Sequence, residues 1–389
     1  MIELKTHESM RDIGERAWSS LLLPETAPFL SYAFLEALES TGCAVPARGW
    51  RPCHVSLRRG GRLVALAPGY VKNNSEGEFV FDHSFAQFSE GRLGVPYYPK
   101  LVFAAPFTPA TGPRLLVLPG EDERELLTLF AGALPELVQR LRVSSAHVLF
   151  PSEGQAAVLA EAGLAHRLGL QYHFRNPGYG TFEDFLGRFN SKRRNQIRRE
   201  LRGPAEQGLE LETRTGRDLD SALLDVVFEL YCSTVDKHFY GRRYLNRAFF
   251  EEICVRIPDS ILVVLAREKG SRRPVAGAFN LLGKTALYGR YWGAREEHPF
   301  LHFNVCYYRG ILECIERGLS VFEPGAGGEH KLPRGFEPTA THSLHHLGDY
   351  RLDHAVRDYL DRERAAVKHH LDEYAAAPML KRVATDAGS

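Results

Sequence analysis

The chain lacks three features that would place it in well-defined classes of protein. No apolar run exceeds six or seven residues, as in 261–266 and 101–107, whereas a membrane-spanning helix needs about 18 or more. The six cysteines are scattered and form no C-x-x-C pair, which disfavours a disulfide framework and a structural zinc site. The start of the chain has no basic segment followed by an apolar one, so we expect no signal peptide. We therefore expect a cytoplasmic protein with reduced thiols.

An excess of charge of one sign is also lacking. The 49 Lys and Arg residues nearly cancel the 48 Asp and Glu residues, which gives a net charge of +1. This argues against a dedicated nucleic-acid-binding protein, DNA-binding proteins included, although a local patch could still bind anions. A hydrophobic content of 44% and a charged content of 25% are typical of globular proteins and exclude wholesale disorder and collagen. At about 150 residues per domain, 389 residues predict two or three domains.

Two halves of the chain show the same order of predicted elements, namely a β-hairpin, a third strand, an amphipathic helix and a short strand. In the first half these elements span residues 52–71, 100–105, 123–141 and 146–150. In the second half they span residues 261–282, 285–293, 301–317 and 320–323. We infer a tandem duplication of a mixed α/β unit, with domains at 1–177 and 178–389. The second domain adds a basic helix at 181–202 and a C-terminal amphipathic helix at 352–374.

This order of elements resembles the acetyltransferase fold of the GNAT superfamily, and two such units resemble the FemAB-like group. Several stretches are similar to bacterial predicted N-acyltransferases called DUF482, which are also labelled peptidoglycan biosynthesis or recognition proteins. These stretches are residues 97–100, 106–114, 287–293, 300–303, 306–308 and 322–331. The resemblance covers nearly the whole chain and implies two GNAT-like domains that transfer an acyl group to an amine.

The segment from Glu323 to Lys331 is the strongest candidate site. A predicted strand ends at Glu323 and is followed by Pro-Gly-Ala-Gly-Gly, which can adopt positive φ angles and let a ligand approach the backbone. Attack of an amine on a thioester needs a base and donors that hold the developing oxyanion. We predict that Glu329 or His330 is the base, and that Lys331 and Arg334 bind an anionic group. Glu323 is a further candidate for substrate binding. The alternative is a glycine-rich turn whose charged residues face water.

His302 is a further catalytic candidate, in the first turn of the predicted 301–317 helix. In the GNAT fold this helix start lies against the cofactor pyrophosphate, where free N–H groups favour an anion. Arg290, in the preceding strand, is a candidate substrate ligand. The glycine-containing loop of the superfamily is missing, and Glu296 and Glu297 stand in its place and would repel a diphosphate. The acyl donor is therefore acyl-CoA in another pose, or an acyl group on acyl carrier protein or tRNA.

Two further sets of residues are candidates for binding. The basic run contains Lys192, Arg193, Arg194 and Arg198, which could hold CoA phosphates, acyl carrier protein, a tRNA backbone or anionic lipid heads; the alternative is a solvated helix face. In the first half, Asp82, Tyr98 and Lys100 lie among many aromatic residues. They are predicted to line an acceptor pocket, although a turn cap and an aromatic core give the same pattern.

The sequence predicts an N-acyltransferase that uses acyl-CoA or acyl carrier protein as co-substrate and holds no metal and no tightly bound cofactor. The acceptor is an amine, either a lipid-like long-chain amine or a cell-wall amine, and the protein is expected in the cytoplasm or peripherally on the inner membrane face. Two alternatives stay open. One is a FemAB-type peptidyl transferase that uses aminoacyl-tRNA, which the near-neutral charge disfavours, and the other is a non-catalytic module that recognises peptidoglycan or lipid.

Overall fold

The structure is a computed structural model and describes residues 2–236 and 242–381. It divides into two compact units. The first contains the residues up to Leu170 together with Ala340–His369, and the second contains Gln171–Thr339 together with the residues from His370 onward. Within the described ranges, no helix has both the length and the apolar character needed to cross a membrane.

The first unit contains two sheets and a long helix. Its strands up to the end of the first repeat are β1 (Ile2–His7), β2 (Trp50–Pro52), β3 (His54–Arg59), β4 (Arg62–Ala67), β5 (Gly69–Lys72), β6 (Lys100–Phe103), β7 (Leu116–Val117) and β8 (Ser145–Leu149). Its helices in the same span are α1 (Met10–Ile13), α2 (Glu15–Ser19), α3 (Tyr32–Ser40), α4 (His83–Phe88), α5 (Glu123–Leu141) and α6 (Glu153–Glu161). Strands β1, β3, β4 and β7 form one antiparallel sheet, and β6 pairs with β8 in parallel within the other. Helix α5 buries the predicted apolar face, including Leu126, Phe130 and Leu134, in the core.

The second unit is built on one sheet. The chain enters it through β9 (Ala165–Arg175) and continues through α7 (Phe182–Gly187), α8 (Ser191–Glu206), β10 (Leu209–Thr215), α9 (Ser221–Val235), α10 (Arg247–Arg256), β11 (Ile261–Glu268), β12 (Pro274–Leu282) and β13 (Ala286–Ala294). Strands β10 to β13 are consecutive antiparallel neighbours. The predicted strands of this half agree with the observed ones to within one residue at most ends, because apolar runs between turn residues mark them clearly.

A helical connection leads from β13 to the next strand. It consists of α11 (Leu301–Phe303), a π-helical turn (Asn304–Tyr308) and α12 (Arg309–Glu316), which follow one another without a break. We call this connection the 301–316 helix. It is followed by β14 (Val321–Glu323), which pairs with β13 in parallel. The final elements of the chain are β15 (Glu337–Leu347) and α13 (Tyr350–Ala376).

The end of the chain is divided differently from the prediction. The prediction places everything after residue 177 in the second domain, whereas the structure packs Ala340–His369 with the first unit. Strand β15 pairs with β8 from Ser343↔Leu149 to Leu347↔Ser145, and the first turns of α13 bury Leu352, Val356 and Leu360 against residues of the first unit. Pairing over such sequence distances leaves no local signal.

Candidate active site in the second unit

The parallel strands β13 and β14 separate at the carboxyl end of β14. They pair only from Ala286↔Val321 to Tyr288↔Glu323, although β13 continues to Ala294. Beyond Tyr288, no strand among the described residues pairs with the β14 side of β13. Gly289 lies at the separation point, where an added Cβ would sit 3.1 Å from Pro324 Cα. Glycine therefore lets the two backbones touch where the strands part.

A glycine-rich loop follows β14 and ends in a 3₁₀ turn, Glu329–Arg334. Glu323, the last residue of β14, is buried, with its Oε2 atom 4.0 Å from His173 Nε2. Gly328 has φ 94°, and an added Cβ would lie 2.7 Å from Cε1 of the His330 ring. The loop thus needs glycine here, both for its left-handed backbone and to seat the imidazole.

Two neutral histidines lie among aromatic rings beside this loop. His330 remains accessible to solvent, and its Nε2 lies 2.8 Å from the Tyr307 hydroxyl. Burial, followed by the charges of Lys331 and Arg334, lowers the pKa of His330. Burial and the neighbouring cations lower the pKa of His302 to about 4, and its ring contacts Trp292 edge-on at a centroid distance of 5.0 Å. Near neutral pH both imidazoles are uncharged and able to accept a proton.

Lys331 is a buried cation of the site. Lys331 is 3% exposed, and its Nζ atom donates a hydrogen bond to the carbonyl oxygen of Gly325 at 2.7 Å. Burial lowers the pKa of Lys331 to about 8. The nearby Cys306 thiol has a pKa raised well above its ordinary value by burial, so it is not a reactive thiolate. Lys331 is therefore the group best suited to hold negative charge.

The π-helical turn decides which tyrosine faces the loop. It inserts an extra residue into the 301–316 helix, so that Tyr307 and Tyr308 are both buried. Tyr307 reaches His330, while the Tyr308 hydroxyl donates to Glu200 Oε2 at 2.5 Å. The residue before the helix, Phe300, has φ 66°, which is uncommon outside glycine. π-Turns and such backbone outliers are frequent at functional sites.

Arg334 is placed differently from the prediction that it binds an anionic substrate group. Nε and Nη2 donate to the two carboxylate oxygens of Glu200 at 3.0 and 3.1 Å. Nη1 donates to the His330 carbonyl at 2.6 Å, and the guanidinium lies 3.3 Å from the centroid of the Phe303 ring. With these partners, Arg334 acts as a brace between helix α8 and the loop.

The structure places the other predicted residues of the second half as follows. Glu329 is exposed at the start of the 3₁₀ turn. Arg290 falls in the register shift between β12 and β13, next to the separation point. The predicted basic helix is two helices, α7 and α8, because Asn190 caps a new helix through its side chain. Its cations Lys192, Arg193, Arg194 and Arg198 lie on α8 and are exposed or half-buried.

Asp82, Tyr98 and Lys100 come together in the first unit. Lys100 is fully buried and donates to Asp82, to Glu78 at 2.7 Å and to Ser75 at 2.9 Å. The Tyr98 hydroxyl lies 2.8 Å from Ser75 Oγ. Burial favours neutral Lys100, but Glu78 and Asp82 outweigh it and raise the pKa of Lys100. The cluster is a buried ion network.

The sequence prediction did not single out Tyr307 and Glu200, which contact His330 and Arg334 in the structure. Tyr307 lies in one of the stretches that carry the family resemblance, 306–308, but helical periodicity cannot locate a π-turn. Glu200 is the single acid within the run 191–202, and an acid in a basic amphipathic helix is a signal for an inward-facing partner. In the described part of the chain, no group of three or more His, Cys, Asp or Glu side chains is arranged to hold a metal ion.

Comparison with protein families identifies the chain's relatives. Residues 9–381 match the FemAB-like family, which is described as peptidoglycan biosynthesis/recognition. The chain belongs to the FemAB-like family. No curated protein matches the chain.

Several solved structures are similar to the chain at low sequence identity. FemX superposes with a TM-score of 0.54 at 12% identity and covers 91% of this chain and 100% of its own. A tandem GNAT protein from the clavulanic acid biosynthesis pathway gives 0.44 at 13% identity, covering 90% and 99%. L-PGS from Bacillus licheniformis gives 0.48 at 9% identity, covering 83% and 95%. The likeness to FemX and the two compact units confirm the predicted fold class of two units of mixed α/β structure.

Proposed function

We propose that this FemAB-like chain is an N-acyltransferase whose reaction centre lies where β13 and β14 separate. One observation carries the proposal: the loop after β14 brings a buried lysine and a neutral histidine together beside a tyrosine hydroxyl. Acyl transfer to an amine needs a proton acceptor and a cation or donor at the carbonyl oxygen. His330 with Tyr307 supplies the first, and Lys331 supplies the second.

The proposed reaction needs the acyl donor, the amine and the side chains of Lys331, His330 and Tyr307. The amine nitrogen attacks the carbonyl carbon of the acyl donor, and the carbonyl oxygen becomes an oxyanion held by the Lys331 ammonium. The nitrogen loses a proton to His330, either directly or through the Tyr307 hydroxyl. The carbon–sulfur bond then breaks, and the departing thiolate takes that proton, which leaves an amide and a thiol. Burial raises the pKa of Tyr307 well above its ordinary value, so its hydroxyl keeps its proton between turnovers.

The family description supports an amine of the cell wall as the acceptor. An amino sugar or a peptide amine fits it better than the other predicted acceptor, a lipid-like long-chain amine. Asp82, Tyr98 and Lys100 contact one another in a buried ion network, so we assign them a structural role in the first unit rather than acceptor binding.

The donor proposal rests on helix α8 and the segment before the 301–316 helix. Glu296 and Glu297 are exposed there, and their charges disfavour a diphosphate at this helix start. The cations of α8 offer a separate surface for donor phosphates or for the acidic surface of acyl carrier protein. We propose that this surface, and not the helix start, binds the donor.

A second candidate donor is aminoacyl-tRNA, which family membership supports. A tRNA on the α8 cations would bind with strong salt dependence, because each neutralised phosphate releases counterions. A donor of the thioester class needs far fewer such contacts. Salt dependence therefore separates the two donors.

The test is an assay for thiol release by the purified full chain. Acetyl-, octanoyl- and palmitoyl-CoA are each combined with glucosamine, a lysine-containing peptide or sphinganine, and products are identified by mass spectrometry. Aminoacyl-tRNA is a separate arm at two salt concentrations. Lys331→Met should abolish the activity found, and Lys284→Met, which changes an exposed lysine, should not. Amide formation that survives Lys331→Met would overturn the proposed centre, and the absence of amide product in every arm would favour a recognition module.

A further inference from the structure

Glu200 is a buried acid in a helix whose exposed face is cationic. It is 2% exposed, and its carboxylate accepts four hydrogen bonds. They come from Arg334 Nε at 3.0 Å, Arg334 Nη2 at 3.1 Å, the Tyr308 hydroxyl at 2.5 Å and Gln196 Nε2 at 3.2 Å. Four donors match the capacity of an ionised carboxylate, and they offset the cost of burying its charge.

The two partners Arg334 and Tyr308 connect Glu200 to the two residues of the Tyr307–His330 hydrogen bond. Arg334 contacts His330, and Tyr308 is the neighbour of Tyr307 in the chain. Arg334 passes from Glu200 to the main-chain carbonyl of His330 and stacks on Phe303. Tyr308 anchors the π-turn one residue after Tyr307. The Glu200 carboxylate thus holds both the backbone of His330, the proposed base, and the π-helical turn that carries Tyr307.

We propose that Glu200 is a positioning residue that, through Arg334 and Tyr308, sets the Tyr307–His330 hydrogen bond on which acyl transfer depends. This inference rests on the proposed function and adds to it a residue from helix α8 that does not touch the reacting atoms. A buried ion pair is weak grounds for a stability role, because apolar residues of similar volume often replace one without loss. Its directional hydrogen bonds, however, hold geometry that apolar contacts do not.

The charge of Glu200 has a second consequence. Arg334 lowers the pKa of His330, and Glu200 neutralises that guanidinium at contact distance. Without Glu200 the full charge of Arg334 would act on His330 and make it a weaker base. The groups that face His330 are Tyr307, His302, Phe303, Lys331 and Arg334.

The hydrogen-bond chain also continues outward. Arg193 Nη1 donates to Gln196 Oε1 at 3.0 Å, and Gln196 in turn donates to Glu200. Glu200 therefore stands between the cationic face of α8, where we propose the donor binds, and the main chain of His330.

Two variants separate positioning from a merely structural role. Glu200→Gln keeps the shape and removes the charge, and the double variant Glu200→Leu/Arg334→Met replaces the ion pair with apolar side chains. We expect the double variant to fold with a Tm close to that of the parent. Its kcat should fall about 10- to 100-fold, as for a small misplacement of catalytic groups, with KM within about twofold of the parent. The control, Glu251→Gln, breaks an exposed pair with Arg247 and should change neither constant.

The readout independent of turnover is the titration of His330 by NMR. Glu200→Gln should move the pKa of His330 further down, because Arg334 is no longer neutralised. The double variant should move it up toward 6.5, because the guanidinium is gone. A folded double variant with parental kcat, or a His330 pKa that stays at the parental value in both variants, would overturn the proposal. A parent without transferase activity would instead overturn the proposed function, and the titration would still test the link between Glu200 and His330.

Discussion

Each unit contains a pair of parallel strands joined through a helix, and the two pairs end differently. In the first unit, a buried arginine closes the end of the β6–β8 pair. Arg114, 1% exposed, donates there to the carbonyls of Leu149 and Ala110, each at 2.6 Å, and of Gly112 at 3.0 Å. In the second unit β13 and β14 are followed by the glycine loop, where the buried cation Lys331 has an accessible histidine beside it. The same element is thus a structural end in one copy and a candidate reaction centre in the other.

The difference lies in how each buried cation is held. The Arg114 guanidinium is spread over several backbone carbonyls, and its charge stays fixed because arginine does not deprotonate in proteins. The Lys331 ammonium has the Gly325 carbonyl as its close acceptor, and its pKa of about 8 lies near neutrality. A permanently charged arginine whose side-chain nitrogens all donate to backbone carbonyls stabilises the fold. A lysine that titrates near neutral pH on a glycine loop is better suited to a catalytic role.

Lys331→Met should have the largest effect and would sharpen this contrast. We expect kcat to fall about 100-fold or more, as for loss of an oxyanion donor, with little change in the free energy of unfolding, because a methionine side chain fills the same space without a buried charge. Steady-state kinetics and urea unfolding measure both quantities. A variant that loses stability and keeps kcat would reverse the roles assigned to the two units.

Arg114→Met should show the opposite pattern. Several buried carbonyls lose their donor, and unfolding should become easier by about 2–4 kcal/mol. The kcat of the folded fraction should equal that of the parent. A large fall in kcat in a variant of normal stability would break the comparison, because it would place chemistry in the first unit.

Gly328→Ala tests the seat of His330 with a smaller expected effect. The methyl group meets the imidazole at 2.7 Å, so we expect about a tenfold lower kcat from a displaced base. The matched control is Gly120→Ala in the first unit, where φ is 92° and an added Cβ has no neighbour within 4 Å. Both variants place an alanine at nearly the same positive φ angle, 92° and 94°, and only Gly328→Ala should lose activity. Equal losses of kcat would mean that backbone strain alone is responsible.

The pH profile should show the titration of His330 and of Lys331. The proposed base must be neutral, so kcat/KM should rise with pH through the lowered pKa of His330. The proposed oxyanion ligand must be protonated, so kcat/KM should fall as pH passes about 8, the pKa of Lys331. Lys331→Arg should move the falling limb to higher pH. A falling limb unchanged in that variant would assign it to another group.

Local sequence signals predicted the parts of this comparison that depend on local chemistry. Apolar runs between turn residues marked β11 to β14, and the glycine run marked the loop that carries His330 and Lys331. The strands and the loop are each specified by residues close together in the chain, and both are present in the structure.

Features that depend on contacts between residues distant in the chain could not be predicted from the sequence. The 3.6-residue period predicts a regular 301–316 helix, and nothing in it reveals the π-turn that buries Tyr307 beside Tyr308. Arg334 looked like a free cation because its partner, Glu200, lies on another helix. The pairing of β15 with β8 joins residues almost 200 positions apart, so the boundary at 177/178 did not anticipate it.

The most direct measurement is a crystal structure of the chain with a non-hydrolysable amide analogue of an acyl thioester. The account predicts that the acyl carbonyl oxygen lies about 3 Å from Lys331 Nζ, the distance expected of an oxyanion donor, with His330 and Tyr307 beside it. An analogue bound in the first unit, with Lys331 still closed onto Gly325 and no acyl group near it, would contradict the account.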